Sequence, residues 1–265
     1  MPHMLILGMG YTGSRLAMRL RAEGWHVTGV RRAADAETLD FGDEAAVLAA
    51  IARASHILSS VPPEGDADPV LTRYGAAIAA APAIWTGYLS STGVYGDAAG
   101  AWVDEASPTG LARRAARAQA DADWGALRPD LRRFRLPGIY GPGRSALDRV
   151  REGRAHRIDL PDQVFSRAHV DDIVAGVLAS IHHGPPDIYN LSDDLPCAQN
   201  RLIEEACALL GQLAPPLLTL EEAQLSPMAR SFYAENRRVA NGRAKRLLGW
   251  SPLYPTYREG LRACL

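Results

Sequence analysis

Met4-Leu5-Ile6-Leu7-Gly8-Met9-Gly10-Tyr11-Thr12-Gly13 is the stretch that decides how the rest of the chain is read. Its apolar run is short and continuous, as a fully buried strand requires, and it ends in glycines spaced Gly-x-Gly-x-x-Gly. From Gly13 to Gly24 the apolar positions follow helical spacing, with Leu16, Ala17 and Leu20 on one face, and Trp25 to Val30 reads as the next strand. In a strand, glycine turn, helix unit, Gly8 permits the tight bend, Gly10 lets backbone approach a pyrophosphate, and Gly13 allows close helix packing. Amides at the helix start then face negative charge. The loop, with Tyr11 and Thr12 in it, is therefore expected to bind a dinucleotide. The end of the second strand discriminates between coenzymes, because an acidic residue there would hold an adenosine ribose. Here Val30 is followed by Arg31-Arg32. Two guanidinium groups suit a 2′-phosphate and predict NADP over NAD; the alternative is a solvated charge pair closing a strand.

Moving outward, Ala45 to Arg53 reads as a helix and His56-Ile57-Leu58-Ser59-Ser60-Val61 as a buried strand stopped by Pro62-Pro63. Glu64 to Pro69 reads as a linker rich in Gly, Asp and Pro. A helix through Tyr74 to Ala81, a strand near Ile84 to Leu89, a helix from about Leu111 to Trp124 and a strand from Leu131 to Leu136 continue the alternation. This rhythm predicts an α/β fold built on a Rossmann-type, doubly wound parallel sheet. Past Gly143 the regularity fades into Pro-rich and Gly-rich connections around helices near Asp171 to His182, Gln199 to Leu210 and Gly242 to Leu248.

With 265 residues, 47% hydrophobic and 22% charged, the chain has length for one α/β domain and an appended lobe. A formal net charge of −1 offers no electrostatic footprint for nucleic acid or anionic lipid, which points to a small-molecule substrate. No segment approaches about 18 uninterrupted apolar residues, and the N-terminus enters a strand without a leader, so no membrane association and a cytoplasmic location are expected. Cys197, Cys207 and Cys264 have spacings that suit neither a zinc site nor a disulfide framework, so no metal is expected.

Further segments follow the glycine loop in a telling order: Ser90-Ser91-Thr92-Gly93-Val94-Tyr95-Gly96, then Leu136-Pro137-Gly138-Ile139-Tyr140-Gly141-Pro142-Gly143, then Phe165-Ser166-Arg167-Ala168-His169-Val170-Asp171-Asp172, Tyr189-Asn190-Leu191-Ser192, and Asn241 to Pro252. On these segments the chain resembles an extended short-chain dehydrogenase/reductase of the NAD-dependent epimerase/dehydratase type across nearly its whole length. The resemblance implies one compact unit over 1–265, with a smaller C-terminal substrate-binding lobe. Residues 1–143, with about 165–192 returning, would form the dinucleotide-binding domain; about 144–164 and 193–265 would cap the substrate. It also implies Asp40 at the adenine edge, Ser60, Val61 and Pro62 beside the ribose, and Pro137, Ile139 and Tyr140 near the nicotinamide.

The departure from the family is as informative. Members normally use a Tyr-x-x-x-Lys pair, in which the tyrosine exchanges a proton while the lysine depresses its pKa and holds the nicotinamide ribose. Lys245 is the only lysine in the chain and Asn241 stands four residues before it, so the pair is absent. Register from Asp104 to Leu111 puts Ala112 at the tyrosine position and Ala116 at the lysine position; a one-residue slip brings in Arg113 or Arg117, which do not restore it. Arginine stays charged near neutral pH and makes a poor general base. Ser91 matches the family's Ser/Thr that positions the reacting oxygen, although such a hydroxyl can equally satisfy backbone. Histidine is the side chain best placed to titrate near pH 7, which makes His169 a candidate acid, with a helix cap as the alternative. Thr92, Arg144 and Arg167 are candidates for substrate contact, the arginines for an anionic one. Two readings stay open. One is an NADP-preferring oxidoreductase or epimerase-like enzyme acting on a hydroxyl or carbonyl of a small polar, possibly sugar-derived, metabolite by a noncanonical mechanism. The other is a catalytically inactive NADP-binding sensor or regulatory protein. A homodimer through the Leu111–Trp124 helix also stays open, although its Arg and Ala content makes no clear apolar stripe.

Overall fold

A computed structural model describes residues 1–110 and 115–265. The expected helix start at Leu111, and with it Ala112 and Arg113, lies outside the described residues. Seven strands form one sheet: β1 (His3–Leu7), β2 (His26–Arg31), β3 (Thr38–Asp40), β4 (His56–Ser59), β5 (Trp85–Ser91), β6 (Leu131–Leu136) and β7 (Ile188–Asn190). They lie in the order β7-β6-β5-β4-β1-β2-β3, every neighbouring pair parallel. The chain winds outward one way from β1 through β3 and the other way from β4 through β7. At that switch a crevice opens beyond the C-terminal strand ends, where ligands of doubly wound folds sit.

Five helices flank the sheet: α1 (Tyr11–Ala22), α2 (Glu44–Arg53), α3 (Pro69–Ala79), α4 (Ala115–Leu127) and α5 (Val170–His182). Side chains alternate along a strand, so Met4 and Ile6 of β1 face one side while Leu5 and Leu7 face the other. The first side packs against α1 through Leu16 and Leu20 and against α5 through Ile173 and Val177. The second packs against Val47, Ile51, Tyr74, Ile78 and Trp124 of α2, α3 and α4. Cover on both faces is why Met4 to Leu7 of β1 reads as an unbroken apolar run.

A separate apolar cluster joins Ala146, Leu147 and Val150 to Leu202, Ile203 and Ala206, closed by Tyr257 and Leu261. It forms the core of the smaller lobe. Within 242–250, Ala244, Leu248 and Trp250 join the first sheet face, and Trp250 Nε1 donates to the Asp172 carbonyl at 3.0 Å. Lys245 lies on this segment, half-exposed, with its Nζ 2.6 Å from Asp194. Among the described residues no helix is long and apolar enough to cross a membrane.

Candidate active site

Gly8 ends β1 at φ +99°, and a Cβ there would lie 2.7 Å from Ser60 Oγ. Its amide donates to the Val30 carbonyl at 2.9 Å, and its carbonyl accepts from Ser60 Oγ at 2.5 Å, so the turn is pinned between β2 and the end of β4. A Cβ on Gly13 would stand 2.5 Å from the Gly8 carbonyl, whereas one on Gly10 meets nothing within 4 Å. Two glycines therefore serve packing, and the third faces open space. The helix that follows starts without a side-chain cap or any acidic residue in its first turn. By contrast α2 and α3 are capped by Asp43 and Asp68. The free amides of α1 suit an anion, so the loop fits a dinucleotide pyrophosphate.

Gly10, Tyr11 and Thr12 line one wall of a cleft of about 950 Å³, with Ser60 and Pro62 beside them. Gly8, Gly13 and Val61 lie behind that wall. Tyr11 OH donates to the Pro142 carbonyl at 3.0 Å, joining the loop to the turn after β6. Pro137, Ile139 and Tyr140 line the opposite wall. The Tyr140 hydroxyl is turned away against Gly260 and is buried without a hydrogen-bond partner among the described residues. Beyond the cleft, at the end of β2, Arg31 donates to the Met9 carbonyl at 2.9 Å and to Asp35 at 2.8 Å, and Arg32 donates to Glu64 at 2.6 Å. Arg31 is thus fastened to the glycine loop itself. Asp40 accepts the Gly42 amide at 2.6 Å, a local turn contact at the end of β3.

Ser91 and Thr92 also face the cleft. Ser91 Oγ accepts the Gly93 amide at 3.1 Å, and its own proton stays available to a ligand. The strand end beneath them rests on a buried polar assembly that the sequence reading did not find. Ser90 Oγ donates to Asp121 of α4 at 2.6 Å, and Arg135 of β6 reaches the same carboxylate at 2.8 Å. Arg135 lies 4.9 Å from the Tyr95 ring, whose hydroxyl donates to Asn190 Oδ1 at 2.7 Å. No local spacing announces this assembly, because its five members come from four separate segments.

Asp121 also sets the rotation of α4. With that side chain turned toward β5 and β6, Arg117, one turn earlier, lines the cleft, and Ala116 does not. Arg117 is thus the cationic side chain that α4 brings to the cleft.

Arg144 and Arg167 both line the cleft. Arg144 sits 5.6 Å over the Tyr11 ring; Arg167 is buried among neutral acceptors, the carbonyls of Phe165 and Cys197 and the Gln199 side chain. His169 is seated away from the cleft and is 1% exposed. Its Nδ1 accepts the Asp171 amide at 3.2 Å, capping α5, and Nε2 lies 3.7 Å from Cys264 Sγ. Burial lowers its pKa, so it stays neutral in that role. Asp171 turns outward to a bidentate pair with Arg15 of α1 at 2.6 and 3.0 Å. Among the described residues no cluster of His, Cys, Asp and Glu could hold a metal ion.

No protein-family model matches the chain. Among curated proteins, a 3-diazoavenalumate denitrifying reductase from a Streptomyces species is 31% identical over 142 residues, a match spanning 48% of this chain and 45% of that one. Among solved structures, a conserved protein of unknown function from Silicibacter pomeroyi is 41% identical, with a TM-score of 0.92 over 100% of this chain and 98% of that one. The human epimerase family protein SDR39U1, solved with NADPH, is 18% identical, with a TM-score of 0.80 over 99% of this chain and 98% of that one. This chain therefore belongs to one family with the Silicibacter pomeroyi protein, and its Rossmann-type fold is the one found in the NAD-dependent epimerase/dehydratase proteins that are its structural neighbours.

Proposed function

We propose that the protein is an NADP-dependent oxidoreductase acting on a hydroxyl or carbonyl of a small polar metabolite. The observation that carries this reading is a shared cleft: the open Gly10, the uncapped start of α1, Ser91, and the Pro137–Tyr140 turn all border one space. When bound there, the coenzyme supplies hydride chemistry. Ser91 Oγ would donate to the reacting oxygen and orient it, and Arg117 would hold a fixed positive charge on the same wall. Proton exchange would fall to water, since Arg117 stays protonated. The name of the Streptomyces relative, a reductase, agrees with this direction. The lobe built on Leu147, Leu202 and Tyr257 would cap the substrate.

NADP preference rests on Arg31 and Arg32. Their present partners are exposed carboxylates, and solvent screening leaves such ion pairs weak. A doubly charged 2′-phosphate gripped by two guanidiniums is a stronger match, so the arginines can exchange Asp35 and Glu64 for it. Fluorescence titration with NADPH and NADH tests the reading. Selective NADPH saturation is expected, and the double variant Arg31→Ala with Arg32→Ala should weaken NADPH at least about tenfold more than NADH. Equal loss for both coenzymes would refute the phosphate pairing, and binding of neither would refute the oxidoreductase. The missing Tyr-x-x-x-Lys pair favours a second reading, a sensor that binds NADPH without consuming it. Oxidation of NADPH in the presence of a carbonyl panel, slowed in Ser91→Ala, separates enzyme from sensor.

A further inference from the structure

We propose that the lobe end of the cleft is an oxyanion subsite in which Arg149 and Arg167 grip a carboxylate or phosphate carried by the substrate, an inference that rests on the reading of the cleft as a coenzyme and substrate site. Charge at this end of the cleft is unbalanced. Three carboxylates line the cleft, those of Asp148, Glu152 and Glu235. Each is already engaged: Asp148 accepts from the Ser145 amide and hydroxyl at 2.7 Å, Glu152 pairs with Arg154, and Glu235 pairs with Arg237 at 2.8 Å. None is left for Arg149. Its guanidinium lines the cleft with no hydrogen bond or ion pair among the described residues.

Arg149 is nonetheless held in place, because its helix, Ala146–Arg151, opens with a full capping box and buries Ala146, Leu147 and Val150. Burial, and next the charge of Arg167, push the Arg149 guanidinium down from its ordinary value. Arg167 is a second cation without a counter-ion. It is 6% exposed, and its donors reach only neutral acceptors at 3.0 to 3.2 Å. The neighbouring carboxyl of Asp193 does not neutralise it, since burial raises that group to about 8 and leaves it protonated at pH 7. Arg167 is buried with only neutral acceptors, and Arg149 is exposed to the same cleft without a partner, so an anion there would meet two like charges that nothing among the described residues compensates. Planar guanidiniums are the side chains best matched to a two-oxygen face.

Calorimetric titration with inorganic phosphate and with succinate tests the subsite and distinguishes the two sources of oxyanion. The better-bound of the two should lose at least about tenfold in affinity in Arg149→Ala and recover in part in Arg149→Lys, which restores charge without the planar fork. Because Arg149 has no partner to lose, Arg149→Ala should fold with an unchanged or slightly raised Tm and should bind NADPH as the unmodified protein does. Equal anion affinity in Arg149→Ala, or no binding of either anion by the unmodified protein at about 10 mM, would overturn the subsite. Failure of NADPH to bind, with Arg149-dependent anion binding intact, would remove the coenzyme reading alone.

Discussion

Asp193 shows how much one side chain can strain against its surroundings. It is 3% exposed and neither carboxyl oxygen makes a well-formed hydrogen bond. Burial raises its pKa to about 8, well above the ordinary carboxylate range. A raised acid means that the folded state holds a proton the unfolded state releases, so stability falls as pH rises from about 4 to about 8. Asp193→Asn keeps the shape and removes the titration. Thermal melts should match the unmodified protein near pH 4 and exceed it near pH 8, by on the order of a few kcal/mol in the unfolding free energy. Parallel pH profiles would show that another group carries the dependence. Nothing in the sequence marks Asp193 as different from Asp194 beside it. Asp194 is half-exposed and pairs with Lys245. Their environments diverge only because the chain folds Asp193 toward Arg167 and Tyr140, a tertiary fact that one-dimensional spacing does not carry.

Among elements, the first strand, turn and helix were the most legible, because each glycine has a local reason to be glycine. Substitutions should separate those reasons. Gly13→Ala drives a methyl into the Gly8 carbonyl and should cost about 2 kcal/mol or more of stability. Gly10→Ala points into open space and should leave Tm within about 1 °C while weakening NADPH, the chemical and thermal readouts thus moving independently. A matched fall in Tm for both would assign Gly10 to packing. Leu131–Leu136 and Gly242–Leu248 also have the bounds their patterns predict. The helix expected from Tyr74 instead begins at Pro69, since the stretch read as a linker contains its start signal: Asp68 accepts the Val70 and Leu71 amides at 2.8 and 3.1 Å and Pro69 takes the first helical position. The expected strand to Val61 ends at Ser59, and the Ser60 hydroxyl leaves the ladder to hold the glycine turn. The side of α4 that faces the cleft was not legible, because Asp121, which anchors the helix, gains its meaning from Arg135 on another strand.

At the scale of the whole molecule, two apolar faces and one lobe core divide the chain in an order unlike its sequence. The most consequential crossing is the C-terminal return to the sheet. Trp250, 4% exposed, fills the first face and donates to the Asp172 carbonyl, while the Asp172 side chain accepts the Leu253 amide at 2.6 Å. Trp250→Ala should therefore cost about 3–5 kcal/mol of global stability, far more than removing a side chain from a detachable lobe, and urea unfolding should stay a single transition. Two separate transitions would show that the lobe holds this tryptophan after all. The same return carries the chain's one lysine to a half-exposed position at the border between sheet and lobe. An amine-directed reagent consequently meets a single ε-amine in this protein, besides any terminal one, so a dye or crosslinker can be seated at that border without engineering a cysteine.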